Sequence, residues 1–516
     1  MDYSEELVQA IVLGEVRSRE AVLKLKKQLC KKHSLGRVPP NHEILERAPE
    51  EYRELVEPYL RNKPVRTLSG VAPVAVMTSP FDCPHGRCTY CPGGVQNKTP
   101  QSYTGREPAA LRAAMYEYDP YRQTKSRLEQ LRAIGHPTDK VDMIIMGGTF
   151  TARPEEYQDW FVKGCFDAMN GSESPDLESA HVRNESAKAR CVGMTVETRP
   201  DWLSSRHVEH SMMLGATKVE LGVQILDDVV LDGVRRGHHV KDVEEATRRA
   251  KDAGLKVAYH IMPGLPGSNK AKDLASFKMM FEDERFRPDM LKIYPTLVVK
   301  GTGLYESWST GQYTPMSLEE TIDLVAEMKQ QIPPWVRVLR IQRDIPVALI
   351  EAGVRKSHLR ELVVERLKDE GSRCRCIRCR EVGHRPTGAK SSLDTDAEMR
   401  EQSYRASGGS EHFISFEVPS TDSLIGYARL RIPGAGAIDA GLVRELHVYG
   451  QMVPIGGGPG DHWQHRGFGE RLLSECERKA SEQGLAEVRV TSGVGARSYY
   501  RRLGYERKGC YMAKAL

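Results

Sequence analysis

The chain reads as an α/β protein, an open barrel of the (β/α)6 kind followed by a separate α+β domain. Three observations carry this. Short apolar runs alternate with amphipathic stretches from residue 70 to about 295, the pattern of βαβ units around a parallel sheet. Gly, Ser and Thr thicken between 383 and 410, marking a domain edge, and strand-like runs then follow one another. Finally, 516 residues exceed one ordinary core. Hydrophobic residues at 40% and charged residues at 28% exclude a mainly disordered or fibrous chain.

The first segment, 1–66, opens on the acidic stretch Met1-Asp2-Tyr3-Ser4-Glu5-Glu6, without the basic-then-apolar form of a secretion signal. No run approaches the roughly 18 to 20 apolar residues of a membrane span, so a cytoplasmic protein is expected. Net charge is only +5, but from Arg17 to Arg37 eight Lys or Arg face one acid, Glu20. Val22, Leu25 and Leu29 have helical spacing. Lys24, Lys26, Lys27, Lys31, Lys32 and Arg37 then make a stripe able to neutralise phosphates. A solvated helix face is the alternative.

The barrel, 67–310, is expected to place strands at 71–77, 141–146, 191–196, 218–223, 256–261 and 291–293. Helices are expected at 107–134, 154–169, 240–253 and 271–281. Ligands of such barrels bind at the C-terminal strand ends. Those ends carry Gly147, Gly148 and Thr149, then Glu197-Thr-Arg-Pro200, Gln224, Met262-Pro-Gly264, and Lys292 with Tyr294. Glycines at 147 and 148 let backbone approach a ligand closely.

Eleven cysteines, an odd number in a chain without a signal, argue against a disulfide framework. Six fall into two tight clusters, where thiolates repel unless a cation holds them. Cys83, Cys88 and Cys91 form a C-x4-C-x2-C triad just after the first strand. Three thiolates can hold three irons of a [4Fe–4S] cluster and leave the fourth open to a chelating molecule such as S-adenosylmethionine; electron-transfer clusters use four cysteines. A zinc site completed by His85 is the rival. The linker, 311–395, carries the second cluster, Cys374, Cys376 and Cys379, with His384 five residues on. That set suits tetrahedral zinc, with unpaired thiols as the alternative. Arg375, Arg378 and Arg380 make this loop a plausible nucleic-acid contact.

In 396–516, strand-like runs at 413–418, 424–431 and 442–448 precede a Gly/Pro loop at 454–460 and the turn Gln464-His-Arg-Gly467-Phe468-Gly469. A helix over 470–482, a strand over 487–491 and Tyr499-Tyr500 follow. Backbone N–H groups at such a strand-to-helix turn can cradle a pyrophosphate. The whole order is the pattern expected of an acetyl-CoA-binding N-acetyltransferase-type (GNAT) domain, with an unrelated α+β domain as the alternative.

With these residues in place, the sequence resembles the Elongator catalytic subunit family (Elongator protein 3), in its stand-alone archaeal or bacterial form, over nearly the whole chain. The resemblance runs through Gln101-Ser-Tyr-Thr-Gly105, Met146-Gly-Gly-Thr-Phe150, Val196-Glu-Thr-Arg-Pro200, Glu220-Leu-Gly-Val-Gln224 and Leu291-Lys-Ile-Tyr-Pro-Thr296. It continues in Gln342-Arg-Asp-Ile-Pro346, Arg444-Glu-Leu-His-Val-Tyr-Gly450 and 464–469. It implies a radical-SAM barrel fused to a GNAT-type domain, and an enzyme that makes 5-carboxymethyluridine at wobble position 34 of tRNA. It implies Cys83, Cys88 and Cys91 as ligands of the cluster, and S-adenosylmethionine, acetyl-CoA and zinc as cofactors or co-substrate.

Glu445, Leu446, His447, Val448, Phe468, Gly469, Glu470 and Tyr500 match the family's acetyl-CoA contacts. Lys140 matches a radical-domain lysine that also reaches acetyl-CoA. Partners implied are the tRNA anticodon stem-loop and an electron donor; homodimer formation and accessory subunits stay open. In the expected chemistry a 5′-deoxyadenosyl radical takes a hydrogen from the acetyl methyl, whose carbon adds to C5 of the uridine. Loss of an electron and a proton restores the ring, and thioester hydrolysis leaves the carboxymethyl group. Tyr500 is expected to polarise the thioester, and His447 is the candidate hydrolytic base. Arg337, Arg340 and Arg343 are further candidates for RNA contact. A protein lysine acetyltransferase that uses only the C-terminal domain is the main rival, and a tRNA-binding scaffold without catalysis the second.

Overall fold

The structure, a computed structural model, describes residues 1–62, 67, 69–384, 397–434, 438–450 and 467–516, the side chains of Glu54 and His384 excepted. The expected loop at 454–460 and Gln464 lie outside the described residues.

The basic segment is one helix of four. Helices α1 (Tyr3–Val12), α2 (Arg19–Lys32), α3 (Asn41–Arg47) and α4 (Glu50–Leu60) share a core built on Leu7, Ile44, Leu45, Val56 and Leu60. Asp2 starts α1 through a capping box with Glu5, and Ser18 caps α2. On α2, Val22, Lys26 and Leu29 turn inward together. Lys26 is 5% exposed and its Nζ donates to Asn41 Oδ1 at 2.5 Å, so it supports the bundle and presents no charge to a phosphate. Lys24, Lys27, Lys31, Lys32 and Arg37 stay exposed, the last two already paired with Glu6 and Glu43.

Among the described residues the barrel holds seven parallel strands where six were expected. They are β1 (Ala72–Met77), β2 (Lys140–Met146), β3 (Arg190–Thr198), β4 (Lys218–Gln224), β5 (Lys256–Ile261), β6 (Met290–Ile293) and, beyond the short β7 (Val298–Val299), β8 (Arg337–Ile341). β9 (Ile350–Ala352) pairs with β7. The seventh strand carries the sheet past the expected boundary at 310. Alternation sorts its side chains by face. Val141, Met143 and Ile145, Val219, Leu221 and Val223, and Val257, Tyr259 and Ile261 join the main core. Between them Glu197, Glu220, Gly222, His260 and Lys292 line one cavity.

The C-terminal domain is a second seven-stranded sheet: β10 (Glu398–Ala406), β11 (Gly409–Val418), β12 (Ser423–Ile432), β13 (Gly441–Val448), β14 (Glu487–Val490), β15 (Glu506–Lys508) and β16 (Tyr511–Ala515). Its order is β10-β11-β12-β13-β14-β16-β15, and it is antiparallel except for β13 with β14. That parallel pairing ends at Val443↔Val490, so the last five residues of β13 leave β14. The helix Phe468–Glu482 packs its Phe468, Leu472, Leu473, Cys476 and Ala480 onto this sheet.

The domain docks against the N-terminal ends of the barrel strands, opposite the cysteine triad. Asp289, just before β6, takes both terminal nitrogens of Arg444 at 2.7 Å, and Glu411 takes one at 2.6 Å. Lys251 lies 3.6 Å from each carboxylate, and Arg431 3.0 Å from Glu411. Gly493 lies flat on β3, where a Cβ would sit 2.2 Å from the Val192 carbonyl oxygen. Among the described residues, no helix is long and apolar enough to cross a membrane.

Candidate functional site

The triad loop leaves β1 and is pinned at Thr89 by backbone, with Thr89 N on Val234 O at 3.1 Å and Leu304 N on Thr89 O at 2.8 Å. All three cysteines are buried. Donors already converge on their sulfurs. Gln101 Nε2 and Ser102 N reach Cys91 Sγ at 3.4 and 3.3 Å. Arg236 Nη1 reaches Cys88 Sγ at 3.7 Å, His85 Nε2 lies 3.2 Å from it, and Thr149 Oγ1 lies 3.4 Å from Cys83 Sγ. His85 therefore sits on a sulfur the chain already supplies.

Cys83, Cys88, Gly148, Thr149, Glu197, Gln224, Lys292 and Tyr294 all line a single cavity. Gly147 stands just behind it at φ +140°, where a Cβ would meet Thr78 Oγ1 at 2.0 Å. The floor is a charged knot. Lys292 contacts Glu220 and lies 3.7 Å from Glu197; His260 Nε2 is 2.9 Å from Glu220, and Tyr103 Oη donates to Glu197 at 2.7 Å. Burial would raise the Glu220 carboxyl, but Lys292, His260 and Lys218 hold it well below the usual carboxylate range. Burial, then Lys292, pushes His260 down, so it stands neutral and donates to Glu220. Glu197, Glu220 and His260 are near enough to share a metal ion, yet the Lys292 ammonium lies among them and opposes one.

Reasoning from the sequence missed Tyr103, Arg236 and His260. Strand alternation puts His260 two residues from Ala258 on the cavity face of β5 and could have found it. Arg337 is corrected. It is buried, with Nη1 2.5 Å from both Glu381 Oε2 and Tyr449 Oη, which removes it from any RNA surface. Arg340 and Arg343 line the cavity, held by Asp344 and by the Ser102 carbonyl.

At the other end, the free half of β13 splits its side chains. Leu446 and Val448 pack toward the helix Phe468–Glu482, while Glu445 and His447 turn to the barrel. Glu445 accepts from Arg429 at 2.9 Å. His447 Nε2 lies 2.9 Å from the Ser69 carbonyl oxygen, which can only accept. That nitrogen carries the proton, and burial lowers the ring's pKa, so Nδ1 is the basic atom. Gly467 opens the helix at φ +78°, Phe468 is buried and Glu470 exposed, and a Cβ on Gly469 would meet Tyr499 Oη at 2.9 Å. Tyr500 lies in the core beside them, its phenol pushed up by burial and so a proton donor. Lys140 begins β2 at the end where this domain docks, and burial lowers its pKa.

The second cysteine cluster is also assembled. The Cys374, Cys376 and Cys379 sulfurs lie within 4.8 Å of one another, with Lys329 Nζ 3.7 Å from Cys379 Sγ. His384 ends a short helical turn, and its side chain lies outside the described residues. The arginines of this loop already have carboxylate partners. Arg375 pairs with Asp422 at 2.9 Å, Arg380 with Glu417 at 2.9 Å, and Arg378 lies 3.5 Å from Glu381. Two of these three pairs rivet the linker to the C-terminal domain.

Known proteins match this layout along its length. Residues 1–68 match the ELP3 N-terminal domain, 78–278 the Radical SAM superfamily, 288–369 the Radical SAM C-terminal domain, and 460–514 the acetyltransferase (GNAT) domain. A Methanocaldococcus jannaschii protein named tRNA uridine(34) acetyltransferase is 48% identical over 538 residues, spanning 100% of this chain and 99% of its own. Elongator complex protein 3 of Danio rerio is 45% identical over 508 residues, 96% of this chain and 92% of its own. The solved structure of the archaeal Methanocaldococcus infernus Elp3 with an N-terminal deletion (1–46) superposes with a TM-score of 0.76 at 46% identity, covering 87% of this chain and 100% of that one. With a radical SAM barrel and a GNAT domain in one polypeptide, this chain belongs to the Elongator complex protein 3 family.

Proposed function

We propose that the chain is a tRNA-modifying acyltransferase that builds 5-carboxymethyluridine at wobble position 34 from acetyl-CoA, working in the cytoplasm. The observation that supports this most is the convergence of the buried Cys83 and Cys88 thiols, two buried guanidiniums and the Glu220–Lys292 knot on one cavity, in a chain that also carries an acetyltransferase domain. The donor set fits an iron–sulfur cluster. Cys83, Cys88 and Cys91 would hold it, and Arg199 Nη1 is a buried donor without a partner at the cavity wall. When bound, the cluster supplies the electron that cleaves S-adenosylmethionine to methionine and a 5′-deoxyadenosyl radical.

The chain's own groups do the rest. Glu197, fixed by Tyr103, and the ionised Glu220–Lys292 pair line the cavity floor with polar groups held in place. At the other end, the N–H groups opening the helix Phe468–Glu482 suit a pyrophosphate. Tyr500 holds a proton for the thioester carbonyl, and His447 Nδ1 is positioned as a base. The test is anaerobic reconstitution with S-adenosylmethionine, acetyl-CoA, a low-potential donor and tRNA, read by nucleoside mass spectrometry. Carboxymethyluridine with 5′-deoxyadenosine is expected. Deoxyadenosine without modified uridine would reject the substrate.

The tRNA footprint is assigned to the exposed lysines of α2. Changing Lys24, Lys27 and Lys31 together to Glu is expected to weaken tRNA binding and flatten its salt dependence by about one unit of log–log slope per lysine. Lys26→Glu is expected instead to destabilise the bundle. Equal slopes in wild type and the triple variant would remove α2 from the RNA surface.

Cys374, Cys376 and Cys379 are assigned to one structural zinc. About one zinc per chain is expected, with Cys376→Ser losing it and lowering Tm, because Cys376 is fully buried between its partners. A purified chain with no zinc and an unchanged Tm on chelation contradicts the assignment.

A further inference from the structure

We propose that Arg236 is the charge partner of the cluster held by Cys83, Cys88 and Cys91: a positioning residue whose guanidinium, fixed against the Cys88 sulfur, raises the potential at which the cluster accepts its electron. The inference rests on the cluster reading above.

Arg236 is 7% exposed. Its Nε and Nη2 both donate to the Gly222 carbonyl oxygen, at 3.2 and 2.6 Å, which leaves Nη1 aimed at Cys88 Sγ. Among the described residues no carboxylate pairs with it. The neighbouring Arg199 differs, held by Asp201 at 2.9 and 2.8 Å. A cation buried without an anion is strongly unfavourable. Here the compensating charge is that of the thiolates and of the group they hold.

Two glycines show that this placement is built. A Cβ on Gly222 would lie 2.4 Å from Arg236 Nη2, so any side chain at this point of β4 would push the guanidinium aside. On the other side Gly237, at φ +71°, lies against His85, where a Cβ would come within 2.6 Å of the His85 Cβ. The arginine is thus clamped between β4 and the triad loop.

One-electron reduction by a low-potential donor makes the cluster one unit more negative, with no bond made or broken in the protein. A fixed positive charge and an N–H donor at a ligand sulfur favour that reduced form.

The test uses the full chain, reconstituted with iron and sulfide, as wild type, Arg236→Gln, Arg236→Lys and Gly222→Ala. Iron per chain is measured first, then the midpoint by redox titration followed by electron paramagnetic resonance. Arg236→Gln is expected to load iron and to show a reduced-to-oxidised ratio about tenfold lower at fixed potential, a midpoint lower by about 59 mV. Arg236→Lys should recover at least half of that. Gly222→Ala, which displaces the guanidinium but keeps its charge, should shift the midpoint the same way by less.

An unchanged midpoint in iron-loaded Arg236→Gln overturns the proposal, and so does a Lys variant no better than Gln. Iron lost from Gln but retained by Lys supports it; iron lost from both overturns it, because shape and not charge is then what matters. A wild type that takes up no iron sinks the cluster reading itself, and this proposal with it.

Discussion

Cys88→Ala is expected to reduce both 5′-deoxyadenosine and modified uridine to the limit of detection while leaving acetyl-CoA binding within about twofold of wild type. The first half follows from ligand number. Two thiolates cannot hold three irons, and Cys88 is also the sulfur on which His85 and Arg236 converge, so its loss strands both donors. The second half follows from packing. Cys88 belongs to a small cluster with Tyr90, Ile225, Val230 and Leu231, whereas the GNAT sheet closes on its own core around Phe416, Leu430, Leu472 and Val488. The variant therefore separates the proposed activity from a chain that acetylates protein lysines with its C-terminal domain alone. That activity would survive Cys88→Ala. Persistence of carboxymethyluridine in an iron-free variant would end the radical reading.

The residues that could be read in advance are those whose signal is local. The triad showed by spacing, and the first six barrel strands by apolar runs a turn away from amphipathic helices. β8 and β10 did not show. β8 contributes Arg337 to partners far away in sequence, Glu381 and Tyr449, and β10 is an exposed edge strand whose charged side chains hide its pairing. The same limit hid Arg236, whose sulfur partner lies 148 positions away. Lys26 is a different case. Its spacing from Val22 and Leu29, four and three residues, already puts it on the buried face of α2, and counting charge overrode the periodicity. Arg375 and Arg380 look like an RNA contact in sequence because Asp422 and Glu417, which take them, come from the next domain.

Arg444→Met should destabilise the protein by about 3 to 5 kcal/mol, since removing one partner of a buried ion cluster leaves the others uncompensated. Asp289, Glu411 and Arg444 are at most 1% exposed, and among the described residues Arg444 alone lies within 3 Å of both carboxylates. It also donates to the Leu255 carbonyl at 3.0 Å, so the loss strikes the seam between barrel and GNAT domain and denaturation should split into two transitions. The pH response gives an independent check. Burial alone would raise the Asp289 and Glu411 carboxyls, but Arg444 and Lys251 hold both below their ordinary values. Carboxylates lowered in this way contribute stability in full above their unfolded pKa near 4 and lose it as pH falls through the folded value. Without Arg444 the two carboxyls rise toward their unfolded value, so less stability is left to lose on acidification and the acid limb below about pH 4 should shift and flatten. A single transition with an unshifted acid limb would mean that the seam is held by its apolar contacts and that the ion cluster only fixes its register.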